Sequence, residues 1–138
     1  MSYPVIAAWH EILASGDLAA LRELLAPEAC FHSPVVHRPQ PGRDLVAMYL
    51  GAAFKVFEGS GFRYVREIVS GCDAALEFVA SVDGIEINGI DLIHWDGYGK
   101  IDDFKVMVRP WKGIEKLRGK MAQMLEQMPQ ATAPAPGS

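Results

Sequence analysis

The main change of apolar period, from helical to alternating, falls at Gly59-Ser60-Gly61, and no other feature of the chain constrains its fold as strongly. Before that point the spacing is mainly helical. Val5, Ile6, Trp9, Ile12 and Leu13 share one face of a first helix, and Gly16-Asp17 supplies a stop and then an N-cap for a second helix with Leu18, Leu21, Leu24 and Leu25. A third helix is predicted from Arg43 to Phe57, with Val46, Tyr49, Leu50, Ala53, Phe54 and Phe57 along one side. Beyond Gly61 come four strand-like runs, Phe62 to Val69, Ala74 to Val82, Ile85 to Trp95 and Lys100 to Val108. The turns between them, Ser70-Gly71-Cys72-Asp73, Asp83-Gly84 and Asp96-Gly97-Tyr98-Gly99, are short enough for antiparallel hairpins.

Two shorter pieces complete the plan. After Pro27, Ala29 to Val36 is predicted as a strand that runs into a proline-rich loop, Val36 to Gly42. Pro110 opens a last amphipathic helix carrying Ile114, Leu117, Met121, Met124, Leu125 and Met128. Helices followed by a long meander predict an α+β domain over residues 1–128, a cone-shaped, curved and mostly antiparallel sheet wrapped over the N-terminal helices, enclosing a pocket and followed by a C-terminal helix. Residues 129–138 are mostly Pro and Ala, with Gln, Thr, Gly and Ser and little to bury, and are expected to form a disordered tail. The strands carry apolar residues of both parities, Ile90 and Leu92 as well as Ile93 and Trp95, which predicts a homodimer through the outer sheet face.

Composition removes several functions. A formal net charge of -4 argues against a nucleic-acid partner, which needs a surplus of Lys and Arg on one face. Lys112, Lys116, Arg118 and Lys120 do cluster, but at helical spacing among apolar residues, the pattern of a solvated helix face. No apolar run reaches the roughly 20 residues of a membrane span, no signal pattern opens the chain, and the expected location is the cytoplasm. Cys30 and Cys72 fit no metal or redox spacing and are expected as unreactive thiols.

One residue breaks the apolar pattern. Asp91 lies in the run Gly89 to Trp95, in strand parity with Ile93 and Trp95. A carboxylate on a core face either pairs with a basic or hydroxyl group as a structural contact, or is held neutral and able to donate a proton. Its expected surroundings are Trp9, Phe31, Ser33, Tyr49, Phe54, Phe78, Ile93 and Phe104, which spacing and parity turn inward. Alternation sends His32 and His94 to the opposite face, and no nearby carboxylate or cysteine completes a coordination shell with His32 and His37 at ligand spacing, so no metal is expected. Adjacent residues Asp102 and Asp103 should project to opposite faces, which forbids an acid-base pair. Glu77 is offset from Leu76, Phe78 and Ala80 and belongs outside; His10 is expected to be exposed.

Gly16-Asp17-Leu18, Phe31-His32-Ser33-Pro34-Val35, Gly42, Gly89-Ile90-Asp91 with Gly99-Lys100-Ile101, and Val108-Arg109-Pro110 together resemble the nuclear transport factor 2-like superfamily, nearest its SnoaL-like and ketosteroid isomerase-like members. Ketosteroid isomerases use a tyrosine on the first helix, an aspartate base before a Pro-Val pair, and a protonated aspartate in the strand before the Gly-Lys turn. The resemblance puts Trp9, Ser33 and Asp91 at these positions. The stretch matching the base of SnoaL-type cyclases reads Val106-Met107-Val108-Arg109 and holds no carboxylate. Of the Asp-Arg-Asp trio of limonene epoxide hydrolase-like members, Arg109 and Asp91 supply part. Two functions are compatible with this pattern. One is a binding or dimerisation module whose pocket takes an apolar small molecule. The other is a cofactor-independent isomerase, cyclase or hydratase that uses Asp91 as acid or base on an apolar carbonyl compound.

Overall fold

A computed structural model describes residues 3–127; Met128 and the expected tail at 129–138 lie outside the described residues. The element order is α1 Pro4–Ser15, α2 Leu18–Leu24, β1 Leu25–His32, β2 Gln40–Pro41, α3 Arg43–Val56, β3 Arg63–Ser70, β4 Asp73–Val82, β5 Ile85–Trp95, β6 Ile101–Arg109 and α4 Trp111–Gln127. The six strands form one sheet in the order β2-β1-β6-β5-β4-β3. Every neighbouring pair is antiparallel except β1 and β6, which run parallel. The sheet is curved and unclosed, with helices over its inner face, as the change of period predicts.

Local chemistry sets the boundaries. Gly16 takes φ 71° at the end of α1, a left-handed conformation that glycine adopts without steric cost, and its N–H donates to the Ile12 carbonyl. Asp17 then caps α2 by accepting from the Ala20 N–H at 3.1 Å. The first strand starts at Leu25, earlier than the expected Ala29, and includes Pro27. Proline has no N–H for a ladder, and the β1–β6 register shifts between Leu25 and Cys30, so Pro27 falls where the pairing is already interrupted.

A second irregularity corrects the expectation for Asp102 and Asp103. Trp95 pairs with Ile101 while His94 pairs with Asp103, leaving Asp102 as an extra residue on β6. The bulge removes the alternation, and each aspartate holds a histidine instead of facing away from its neighbour. Asp102 bonds His94 at 2.6 Å and Asp103 bonds His32 at 2.9 Å.

The interior divides in two. The larger cluster joins Val5, Ile6, Trp9 and Ile12 of α1 to Leu21, Leu25, Phe31, Leu50, Ile93, Trp95 and Phe104. A smaller one gathers Phe78, Val82 and Ile87 beneath Leu117 of α4. Helix α4 also packs on α3, β5 and β6. Its Lys116 and Lys120 reach Asp83 in the β4–β5 turn at 3.4 and 3.0 Å, so part of the basic face anchors the helix.

Candidate functional site

Asp91 lies on the inner face of β5, opposite Leu76 of β4 and Val106 of β6, and is only 6% exposed. Two residues before it, Gly89 has no side chain because there is no room for one. A Cβ there would stand 2.4 Å from the Phe78 ring and 2.8 Å from the Met107 carbonyl oxygen. The Phe78 ring therefore lies against the strand beside the carboxyl, in a row of aromatic contacts with Phe57, Phe62 and Tyr64.

A relay of hydrogen bonds orders the site. The Trp9 indole N–H donates to the Tyr64 hydroxyl at 2.9 Å, and that hydroxyl donates to Asp91 Oδ2. The direction is dictated by chemistry, since an indole N–H can only donate and so occupies a lone pair of the tyrosine oxygen, turning the phenolic proton toward the carboxyl. Burial pushes the Asp91 carboxyl up to about 7, against a smaller downward pull from the Tyr64 hydrogen bond. Burial also drives Tyr64 well above the ordinary phenol range, reinforced by the charge of Asp91 beside it. When the acid is neutral, Oδ2 remains the acceptor of the Tyr64 hydroxyl and the acid proton is left to Oδ1.

These groups line a cavity of about 730 Å³ between α1, α3, the sheet and α4. Every residue expected around Asp91 contributes to its wall except Ile93, which is buried in the larger core cluster. Trp9 leans on Phe54 and Phe104 with ring centroids 5.7 and 5.0 Å apart, and Phe31 stacks on Tyr49 at 5.6 Å. Ser33 is on the wall, yet its Oγ accepts from the N–H groups of Val35 and Val36 at 3.0 and 3.3 Å and caps the loop. From α4, Leu117, Arg118, Met121 and Leu125 also line it.

Two participants escape a reading from sequence. Tyr64 is the direct partner of Asp91; its place in an alternating run two residues after Phe62 was the available signal. His10 lines the cavity rather than simply facing solvent. Its Nε2 bonds Glu67 of β3 at 2.9 Å, and its ring meets Tyr64 edge-on at 5.5 Å.

The outer face holds the remaining candidates. His94 points outward as expected, and its bond to Asp102 raises it above the ordinary imidazole value. Glu77 also lies outside, accepting from Asn88 Nδ2 at 3.0 Å. Cys72 is exposed and Cys30 partly buried.

A family model described as a SnoaL-like domain matches residues 6–104. The chain belongs to that SnoaL-like family, within the nuclear transport factor 2-like superfamily. Among solved structures, this SnoaL-like protein is similar to a steroid delta-isomerase from Pseudomonas aeruginosa, with 41% identity over 89% of this chain and 90% of that one and a TM-score of 0.85. It is also similar to an uncharacterized protein with a cystatin-like fold from Silicibacter pomeroyi, at 39% identity, 90% and 86% coverage and a TM-score of 0.83. A nuclear transport factor 2-like protein of unknown function from Mesorhizobium loti shares the fold at 22% identity, 78% and 89% coverage and a TM-score of 0.69. No curated protein matches the sequence significantly. No helix among the described residues is long and apolar enough to cross a membrane.

Proposed function

We propose that this SnoaL-like protein takes an apolar, carbonyl-bearing small molecule into its cavity and holds the carbonyl oxygen with the neutral carboxyl of Asp91. The observation that carries the reading is the Trp9–Tyr64–Asp91 relay ending on a buried acid in an aromatic-walled cavity. A cavity of about 730 Å³ suits one small ligand, with apolar walls supplying affinity and one polar end supplying orientation. A carboxylic acid kept neutral by its surroundings donates a hydrogen bond to a ligand oxygen, more strongly as charge develops there. No cofactor is required for either step.

A second reading, isomerisation, is favoured by the 41% identity to a steroid delta-isomerase and by His10, which lines the cavity while its Nε2 bonds Glu67. Ser33 cannot abstract a carbon-bound proton unaided, whereas an imidazole oriented by a carboxylate is a suitable general base. His10 would take a proton from the carbon beside the carbonyl, Asp91 would hold the resulting enolate oxygen, and the proton would return further along the conjugated system.

The test is a steroid ketone whose ring double bond lies out of conjugation, added to the protein and to Asp91→Ala and His10→Ala. Saturable quenching of tryptophan fluorescence, lost in Asp91→Ala, with no change in the steroid supports binding alone. A rise in enone absorbance lost in both variants supports isomerisation. Absence of saturable binding by this or other apolar ketones contradicts both.

Two broader expectations accompany the proposal. Ile90, Leu92 and Met107 are exposed on the outer sheet face, an apolar patch that a homodimer would cover, and the expected location is the cytoplasm. Light scattering that returns the monomer mass at micromolar concentration would count against the dimer.

A further inference from the structure

The side of the sheet that faces away from the cavity carries three donors of different chemistry at one point. Phe31 and Phe104 line the cavity, so their strand neighbours Cys30, His32 and Asp103 point the other way. Cys30 and His32 are two residues apart on β1, and Asp103 is the residue paired with Cys30 on β6. The Cys30 thiol, a His32 ring nitrogen and an Asp103 oxygen all lie within 4.8 Å of one another. Of these, His32 Nε2 and Asp103 Oδ1 are already 2.9 Å apart.

We propose that Cys30, His32 and Asp103 form a three-ligand site for a thiophilic divalent cation, zinc above all, with a fourth position open to water. Zinc accepts sulfur at about 2.3 Å and nitrogen or oxygen at about 2.0–2.2 Å in tetrahedral geometry, which sets its ligand atoms roughly 3–4 Å from one another. The cluster needs only small side-chain movements to meet that spacing, with His32 and Asp103 parting slightly. A thiolate selects against magnesium and calcium, which prefer all-oxygen shells. The strand pairing places the three ligands before any metal arrives, so little ordering remains to be done on binding. Such a site clasps β1 to β6, the parallel pair of the sheet, just past its register shift. Metal entry displaces the thiol proton, so affinity increases with pH. The site lies on the opposite face of the sheet from Asp91 and does not depend on the proposed ligand-binding role.

The probe is cobalt(II), titrated into the full metal-free chain. The expected result is one equivalent bound per chain, with a thiolate-to-cobalt charge-transfer band and the intense visible bands of a tetrahedral ion, both abolished by zinc. Cys30→Ser should remove the charge-transfer band. Asp103→Asn should weaken binding by about tenfold or more, given that loss of even an outer partner of a ligand costs about 10–100-fold. Cys72→Ser should change neither. In the unaltered chain, zinc should protect Cys30 but not Cys72 from alkylation, read by mass spectrometry, a result independent of how the variants fold. A weak octahedral spectrum, a charge-transfer band that survives Cys30→Ser, or equal alkylation of Cys30 with and without zinc would overturn the site.

Discussion

Asp91→Asn should flatten the dependence of stability on pH. In the folded protein the carboxyl is pushed from its ordinary value of 3.8 to about 7, because 94% of the residue's surface is withdrawn from water. The acid form is thus favoured by folding. The stability it contributes is fully present below the ordinary value and is lost as pH rises through the folded one. One pH unit of difference corresponds to about 1.4 kcal/mol, so a gap of about three units corresponds to about 4 kcal/mol. Asparagine keeps the shape, accepts the Tyr64 hydroxyl through its carbonyl oxygen, and cannot ionise. Urea unfolding of both proteins from about pH 3 to about pH 8 isolates the effect, because every other titrating group is common to both and cancels in the difference. The stability of the native protein relative to Asp91→Asn should fall by about 4 kcal/mol over that range, most of it before neutrality. Parallel stability curves would refute the reasoning, since they would mean that Asp91 is as easily ionised in the folded chain as in the unfolded one.

Three further outcomes follow from the same geometry. Tyr64→Phe removes the acceptor of the Trp9 indole and the donor to Asp91, so denaturant midpoints should show a loss of about 1–3 kcal/mol and the Asp91 titration should move above about 7. Gly89→Ala forces a methyl group against the Met107 carbonyl oxygen at 2.8 Å, and thermal unfolding should register a cost of about 1–3 kcal/mol. His94 should titrate above 6.5 by NMR, with its contribution to stability present below that value and lost as pH rises through the raised one. Asp102→Asn should return it toward 6.5, at a stability cost below about 1 kcal/mol because the pair is half exposed.

Much of the fold was legible because it rests on periods and turns. The change of spacing at Gly61 and the three glycine-bearing turns lead directly to the helices and to β3 through β6. The bulge at Asp102 and the early start of β1 were not legible, since both depend on which strand lies alongside rather than on local sequence. The site divides the same way. Asp91 stands out as a charge in an apolar run, and parity alone turns Phe78 and Phe104 inward. Tyr64 as its partner needs the β3–β4 register, and the His10–Glu67 pair spans 57 residues. His32 and Asp103 are 71 residues apart and meet only through the parallel pairing of β1 with β6. Ile93 shares the parity of Asp91, but core side chains fill the space in front of it, so parity alone does not place it on the cavity wall.

The central claim is that Asp91 is a neutral acid presented to a ligand inside an apolar cavity. Carbon-13 NMR titration of its carboxyl, with and without a saturating apolar ketone, tests this most directly. The account predicts a midpoint near 7 in the free protein, moving upward with the ketone bound, because a carbonyl oxygen that accepts the carboxyl proton favours the protonated form. A midpoint at or below about 3.9, the value of an unperturbed aspartate, and unmoved by the ketone would contradict it and leave Asp91 as an ionised structural partner of Tyr64.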